Sequence, residues 1–341
     1  MKKIAPGFIL PSAALTVAAK HIRFYDVIDK RPEVGDVVYG KVVRLGQHME
    51  MENQFGRFHR LNDGTRSVFV FGNRYAPNHY EGFVPEEMTY DVDMLARSGV
   101  VGRVAFRNSS IKDPTLVRLL GYVCDKDGRV LNTKDFSLVH PTRTEKKGER
   151  AKLILVVGTS MNCGKSMTAT ACCWALSTMG YQVRASKVTG TASLKDILHM
   201  QDAGASVIND FSYFGFPSTY MASDADVLRI FNDTDLRWAN NAKNFWVVEF
   251  ADGIVQRETA MLLQSDDVKS RIHKLLFAAG DAFGAIGGIE ILKNKFGLTP
   301  DAVSGVCSSS PLAVRELREF ADIQVLNNLE WDLKHICEVI L

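Results

Sequence analysis

The six residues LILVVG (153–158) run straight into Thr159-Ser160-Met161-Asn162-Cys163-Gly164-Lys165-Ser166, and no other stretch constrains the chain as much. An unbroken apolar run of this length reads as a strand buried on both faces, and Lys165 to Met179 reads as a helix. A glycine-flanked loop at such a junction lets successive backbone N–H groups turn inward, and the helix N-terminus adds its partial positive charge. That is a phosphate cradle. In it Lys165 bridges the β- and γ-phosphates as a catalytic cation, and the Ser166 hydroxyl ligates magnesium. The predicted nucleotide contacts are Gly158, Thr159, Asn162, Cys163, Gly164, Lys165, Ser166 and Met167, and the expected ligand is ATP or GTP with Mg2+. Five residues rather than the usual four separate Gly158 from Gly164-Lys165.

Around this loop the 341 residues divide by rhythm, as their length leads one to expect of two domains. Before it, DVVYGKVVRLG, SVFVFGN, VVGRVAFRN and GYVCDKDGRVL alternate Val and Tyr with turn residues, the pattern of a small sheet or barrel with a hairpin-type turn at Asp127-Gly128. The charged segment PTRTEKKGER (141–150) reads as the linker. After it, apolar runs at 182–190, 245–251, 275–280, 302–309 and 323–328 alternate with helix-length segments. The predicted fold is α/β: a mostly parallel P-loop sheet with flanking helices over 146–341, plus a smaller β-rich N-terminal domain over 1–145.

A formal net charge of +2 gives no indication of a nucleic-acid partner. Six cysteines without a C-x-x-C pair argue against disulfides and structural zinc. The first residues, broken by Lys and Pro, fall short of a signal or membrane span, so a cytoplasmic protein is expected. In the first domain, the segment Phe71 to Tyr80 is dense in aromatic and hydrogen-bonding groups and reads either as a recognition surface or as a packing loop; His48, His59 and His79 lack metal-ligand spacing and read as structural.

The loop that begins Gly158-Thr159 and ends Gly164-Lys165-Ser166 resembles those of dethiobiotin synthetase and the cobyrinic-acid amidating synthetases. Gly180-Tyr181 followed by a strand ending Lys187-Val188-Thr189-Gly190 is similar to the segment that gives those enzymes a second lysine beside the reacting phosphate. Lys187 matches that lysine, although proline is absent, and at the carboxyl end of a strand next to the P-loop strand it would face the ligand crevice. Val247-Val248-Glu249 resembles their V-E-G strand end, with Phe250 in place of glycine. An acid closing an apolar strand there can hold magnesium, directly or through water. The resemblance further implies an assisting aspartate, which either Asp202 or Asp210 matches, a base contact at Asn327, and a homodimer. A similar order of motifs occurs in the family that includes a D-glutamate N-acetyltransferase. Both resemblances cover about 150 to 200 residues of the second domain.

Three functions are compatible with these residues. The preferred one is an ATP- and magnesium-dependent enzyme that activates a small-molecule acceptor by phosphoryl transfer, with Lys165 and Lys187 as its catalytic cations. The second is a nucleotide-switched binding protein whose first domain recognises a partner. The third, implied by the acetyltransferase resemblance, is acyl transfer from coenzyme A, whose phosphates the loop would hold. Arg257 reads as an internal arginine finger or, more simply, as half of a helix-surface ion pair.

Overall fold

The computed structural model describes residues 1–139 and 148–341. Most of the linker segment 141–150, and with it the expected boundary at 145/146, lies outside the described residues. The chain falls into two compact units, one made of Met1–His140, Gly190–Lys195 and Phe211–Met221, the other of Pro141–Thr189, Asp196–Asp210 and Ala222–Leu341.

Among the described residues, the first unit holds the strands β1 (Lys2–Lys3), β2 (Phe24–Asp26), β3 (Val37–Arg44), β4 (Glu50–Glu52), β5 (Phe58–Arg60), β6 (Arg66–Phe71), β7 (Arg74–Tyr75), β8 (Tyr80–Phe83), β9 (Asp91–Met94), β10 (Val100–Arg107) and β11 (Thr115–Cys124). β3 pairs antiparallel with β6, β6 parallel with β10, and β10 antiparallel with β9. β9 then pairs with β11 and β11 with β3, so the strands close into a small barrel. Alternate residues point inward and fill it: Val38, Val42, Phe69, Phe71, Val92, Met94, Val101, Val117 and Leu119 form one buried cluster. The closing contact between β6 and β10 is short, pairing Val70 with Val100 and Phe71 with Val101. In the aromatic-rich segment Phe71, Arg74 and Tyr80 are buried, while Pro77 and Asn78 are exposed. Arg74 is buried, donates to His48 Nε2 at 3.0 Å and to the Leu95 carbonyl, and His48 stacks on His79. Both excursions from the second half of the chain are built in through their backbone. The Leu194 N–H donates to the buried carboxylate of Glu52 at 3.1 Å, and the Thr133 hydroxyl donates to the Gly215 carbonyl.

The second unit holds β12 (Lys152–Gly158), β13 (Val183–Lys187), β14 (Val207–Asp210), β15 (Phe245–Glu249), β16 (Ile272–Ala278), β17 (Ala302–Ser304) and β18 (Gln324–Val325). Among the described residues they form one sheet in the order β14-β13-β15-β12-β16-β17-β18, every neighbouring pair parallel. Such a sheet is covered on both faces, which is why Leu153 to Val157 are all apolar and fully buried. Helix α1 (Lys165–Thr178) lies on it through small residues, Ala169, Cys172, Cys173 and Ala175, whose size lets helix and sheet approach closely. All six cysteines are free and buried, as expected of thiols used for packing. The remaining helices are α2 (Lys195–Asp202), α3 (Asp224–Trp238), α4 (Arg257–Gln264), α5 (Asp266–Lys269), α6 (Ala282–Ile291), α7 (Pro311–Phe320) and α8 (Leu333–Ile340). No helix of the described residues is long and apolar enough to cross a membrane.

The strand order places the site. From β12 the chain moves to one side of the sheet, and from β15 it crosses β12 to reach β16 on the other. Connections that diverge at a central strand leave a crevice at its carboxyl end, the place where open α/β sheets bind ligands.

Candidate functional site

The loop from β12 to α1 is shaped by steric necessity. A Cβ on Gly158 would sit on the Cys163 sulfur and 2.7 Å from the Ala278 carbonyl, so only glycine fits. Asn162 (φ 64°) and Gly164 (φ 106°) take left-handed conformations that turn the chain tightly into α1. Gly164 caps α1 without a side-chain acceptor, which leaves the first-turn N–H groups to an anionic ligand. Two neighbouring segments hold the loop in this form. The Ile254 N–H donates to the Gly158 carbonyl at 2.9 Å, and the Val306 N–H donates to the Cys163 carbonyl at 3.0 Å. Lys165 is buried and folds back along the loop, with Nζ donating to the Ser160 carbonyl at 2.7 Å and lying 3.9 Å from Cys163 Sγ.

Beside the loop the sheet register sets a row of charge. Asp210 on β14 is level with Lys187 on β13, and Lys187 is level with Glu249 on β15. β13 is not next to the P-loop strand, as the sequence suggested; β15 stands between them. Lys187 Nζ pairs with Asp196 from the first turn of α2 and lies 3.5 Å from Glu249 Oε1. Burial alone would lower the Lys187 pKa, but the charges of Asp196 and Glu249 outweigh it and hold the ammonium well above the ordinary lysine value. For Glu249 burial is the largest influence and pushes its pKa up, against the opposing charge of Lys187.

The same carboxylate carries an unused oxygen. Glu249 Oε2 is buried and has no hydrogen-bond partner among the described residues, while the Ser166 hydroxyl is near enough to act on the carboxylate. A buried carboxylate oxygen facing a hydroxyl suits a hard cation, and Mg2+ needs only one or two carboxylates when phosphates and water supply its other ligands. Among the described residues no group of three or more His, Cys, Asp and Glu forms a protein cage for a metal. Ser166 and Glu249 are brought together and fit magnesium, whereas the buried Asp210 stands two strands from Glu249 with Lys187 between them. Asp202 is not with them. It is exposed on the last position of α2, roughly 9 Å along the helix axis from Asp196. Gly204, two residues further on, packs against Ser177 near the end of α1 remote from the loop.

Of the other predicted contacts, Thr159 and Met167 are half-buried and Asn162 is exposed at the tip of the loop. The Cys163 thiol is buried under the loop. Asn327 Oδ1 accepts from the N–H groups of Leu329 and Glu330, so its acceptor serves a turn rather than a base. Its neighbour Asn328 touches the cradle instead, accepting from Thr168 of α1 at 3.2 Å and lying against Gly164. Arg257 pairs with Asp224 and Glu258 and donates to the Ala222 carbonyl, which ties α4 to α3 and makes it a surface ion pair. Two residues escaped sequence reasoning altogether. Asp196 looked like any acid in the first turn of a helix, and Gly305 like any glycine of a strand end.

No family model matches the chain, and no curated protein matches it either. Among solved structures it is similar to the signal recognition particle receptor FtsY from Elizabethkingia anophelis in complex with GDP, at 13% identity and a TM-score of 0.39, over 57% of this chain and 62% of that one. It is also similar to a ParA family ATPase from Chlorobium tepidum TLS, at 12% identity and a TM-score of 0.36, over 56% of this chain and 89% of that one. The mixed α/β fold, with a phosphate-type loop between a central strand and the first helix, stands on this chain's own topology.

Proposed function

We propose that the second unit binds ATP or GTP with magnesium and transfers the γ-phosphoryl group to a small carboxylate, carbamate or amine acceptor, in the manner of the synthetases its loop resembles. The observation that carries this reading is the row Asp210-Lys187-Glu249 beside a cradle already formed. A pure phosphate holder needs the loop and Lys165. A second, largely covered lysine flanked by carboxylates adds a fixed cation of the kind that stabilises charge moving among phosphoryl oxygens. In the reaction the bond from the γ-phosphorus to the bridging oxygen breaks and one to the acceptor atom forms. The loop N–H groups and Lys165 bind the phosphates, and Lys187 stabilises the transferring group. Magnesium, held by Ser166 and Glu249, would neutralise phosphate charge when bound.

A second reading is a nucleotide-switched binding protein. It is favoured by one observation: the segments that follow Lys187 and Asp210, Gly190–Lys195 and Phe211–Met221, fold with the first unit. A thermal-shift panel of ATP, GTP and acetyl-coenzyme A with magnesium fixes the ligand class first. Nucleotide turnover that rises with an added metabolite then supports the synthetase reading. Nucleotide-dependent change in assembly size without such turnover supports the switch, and acetyl-coenzyme A consumption without ATP overturns both.

A further inference from the structure

Lys187 has two carboxylate partners, and the structure treats them differently. Asp196 hydrogen-bonds it directly, whereas Glu249 stands at 3.5 Å, beyond the usual hydrogen-bonding range. The Asp196 side chain is 22% exposed against 2% for Glu249, and it sits in the first turn of α2, where a negative charge is favoured. Asp196 is therefore the more exposed and directly bonded partner, while Glu249 is the partner with a buried oxygen to spare.

We propose that Asp196 is a positioning residue: it holds Lys187 in place when the Glu249 carboxylate is taken by magnesium. The inference rests on the nucleotide-and-magnesium reading, and it assigns a role to a residue outside the loop and the metal set. A buried ammonium needs a compensating charge. If Glu249 were its only partner, magnesium and Lys187 would compete for one carboxylate. With Asp196 present, Glu249 can turn to the cation and leave the lysine charge compensated.

The test is a magnesium titration of N-methylanthraniloyl-ATP binding to the full chain, which requires no turnover. Asp196→Asn should raise the magnesium concentration for half-maximal binding about ten-fold, the scale of a coupling between groups that share a partner. Asp196→Glu should restore most of the loss. In a Lys187→Ala background Asp196→Asn should have no further effect, because the lysine through which it acts is gone. If Asp196→Asn fails to fold, Asp196→Ser takes its place. An equal shift with and without Lys187 overturns the proposal, since Asp196 would then act on the metal itself. A folded Asp196→Asn protein with the wild-type magnesium requirement sinks this inference alone. A wild type whose nucleotide binding ignores magnesium sinks the metal reading and this inference with it.

Discussion

Gly305→Ala should damage the phosphate loop from behind, through the Cys163 peptide. Gly305 has φ +92°, and an alanine Cβ there would lie 2.6 Å from the Ala279 nitrogen, 2.8 Å from the Ala279 carbonyl oxygen, and closer still to the Cys163 carbonyl oxygen. All three are backbone atoms, so no side chain can rotate away. With ψ −166° the residue lies in a region that essentially only glycine enters, at a cost to other residues of roughly 1–3 kcal/mol. Relieving the contacts also strains three backbone hydrogen bonds, Val306 N–H to Cys163, Cys307 N–H to Ala279 and Ala279 N–H to Ser304, each worth about 1 kcal/mol. The expected loss is about 3–5 kcal/mol of unfolding free energy by urea titration. Nucleotide affinity should fall about 100-fold as the Cys163 peptide is pushed out of register, which corresponds to about 2.8 kcal/mol. Gly287→Ala is the control: its Cβ meets nothing within 4 Å on α6, so it should stabilise by about 0.5–1 kcal/mol. A Gly305→Ala protein within 1 kcal/mol of wild type and with unchanged affinity would refute the argument that this glycine shapes the loop.

Lys187→Ala should lower single-turnover phosphoryl transfer by roughly 10²- to 10³-fold and leave nucleotide affinity nearly unchanged; a retained rate would remove its catalytic role. Glu249→Gln keeps the shape and loses the charge, so nucleotide should still bind while the magnesium requirement rises at least about ten-fold, and a wild-type requirement would pass the role to Asp210. In the first unit, burial, with the charges of Arg74 and His79, lowers the His48 pKa from 6.5 to about 3. A base with a depressed folded pKa stabilises fully above its unfolded value and loses that stability as pH falls from about 6.5 towards 3, at about 1.4 kcal/mol per unit. Urea titrations at pH 7, 6 and 5 should show this slope and its disappearance in His48→Gln; an unaltered slope would assign the acid sensitivity elsewhere.

How much of this was legible depended on whether the signal was local. The strand Lys152–Gly158, the loop and α1 follow from one continuous stretch in which burial on both faces, glycine geometry and helix start agree. Glu249 was legible for the same reason, as an acid closing a wholly apolar strand. The choice between Asp202 and Asp210 needed the direction of α2 and the register of the short edge strand β14, and neither is written in spacing. Asp196 meets Lys187 only because α2 begins at the carboxyl edge of the sheet, nine residues further along the chain. Barrel closure in the first unit rests on the parallel pairing of β6 with β10 across the other strands that lie between Phe71 and Val100, for which an alternating pattern carries no register signal. Asn327 and Asn328 are chemically identical, and which one reaches the loop is decided by the turn that uses the first.

The most direct test of the central claim, that this loop holds nucleotide phosphates, is calorimetric titration of Lys165→Ala with Mg-ATP and Mg-GTP beside the wild type. Among the described residues the lysine donates to a loop carbonyl and approaches one thiol, so its removal should leave the unit folded, with an unchanged circular dichroism spectrum. Wild type should bind one nucleotide per chain, and the variant should lose at least about 100-fold in affinity, a loss on the scale of about 2.8 kcal/mol. Equal binding by the folded variant and the wild type would contradict the account.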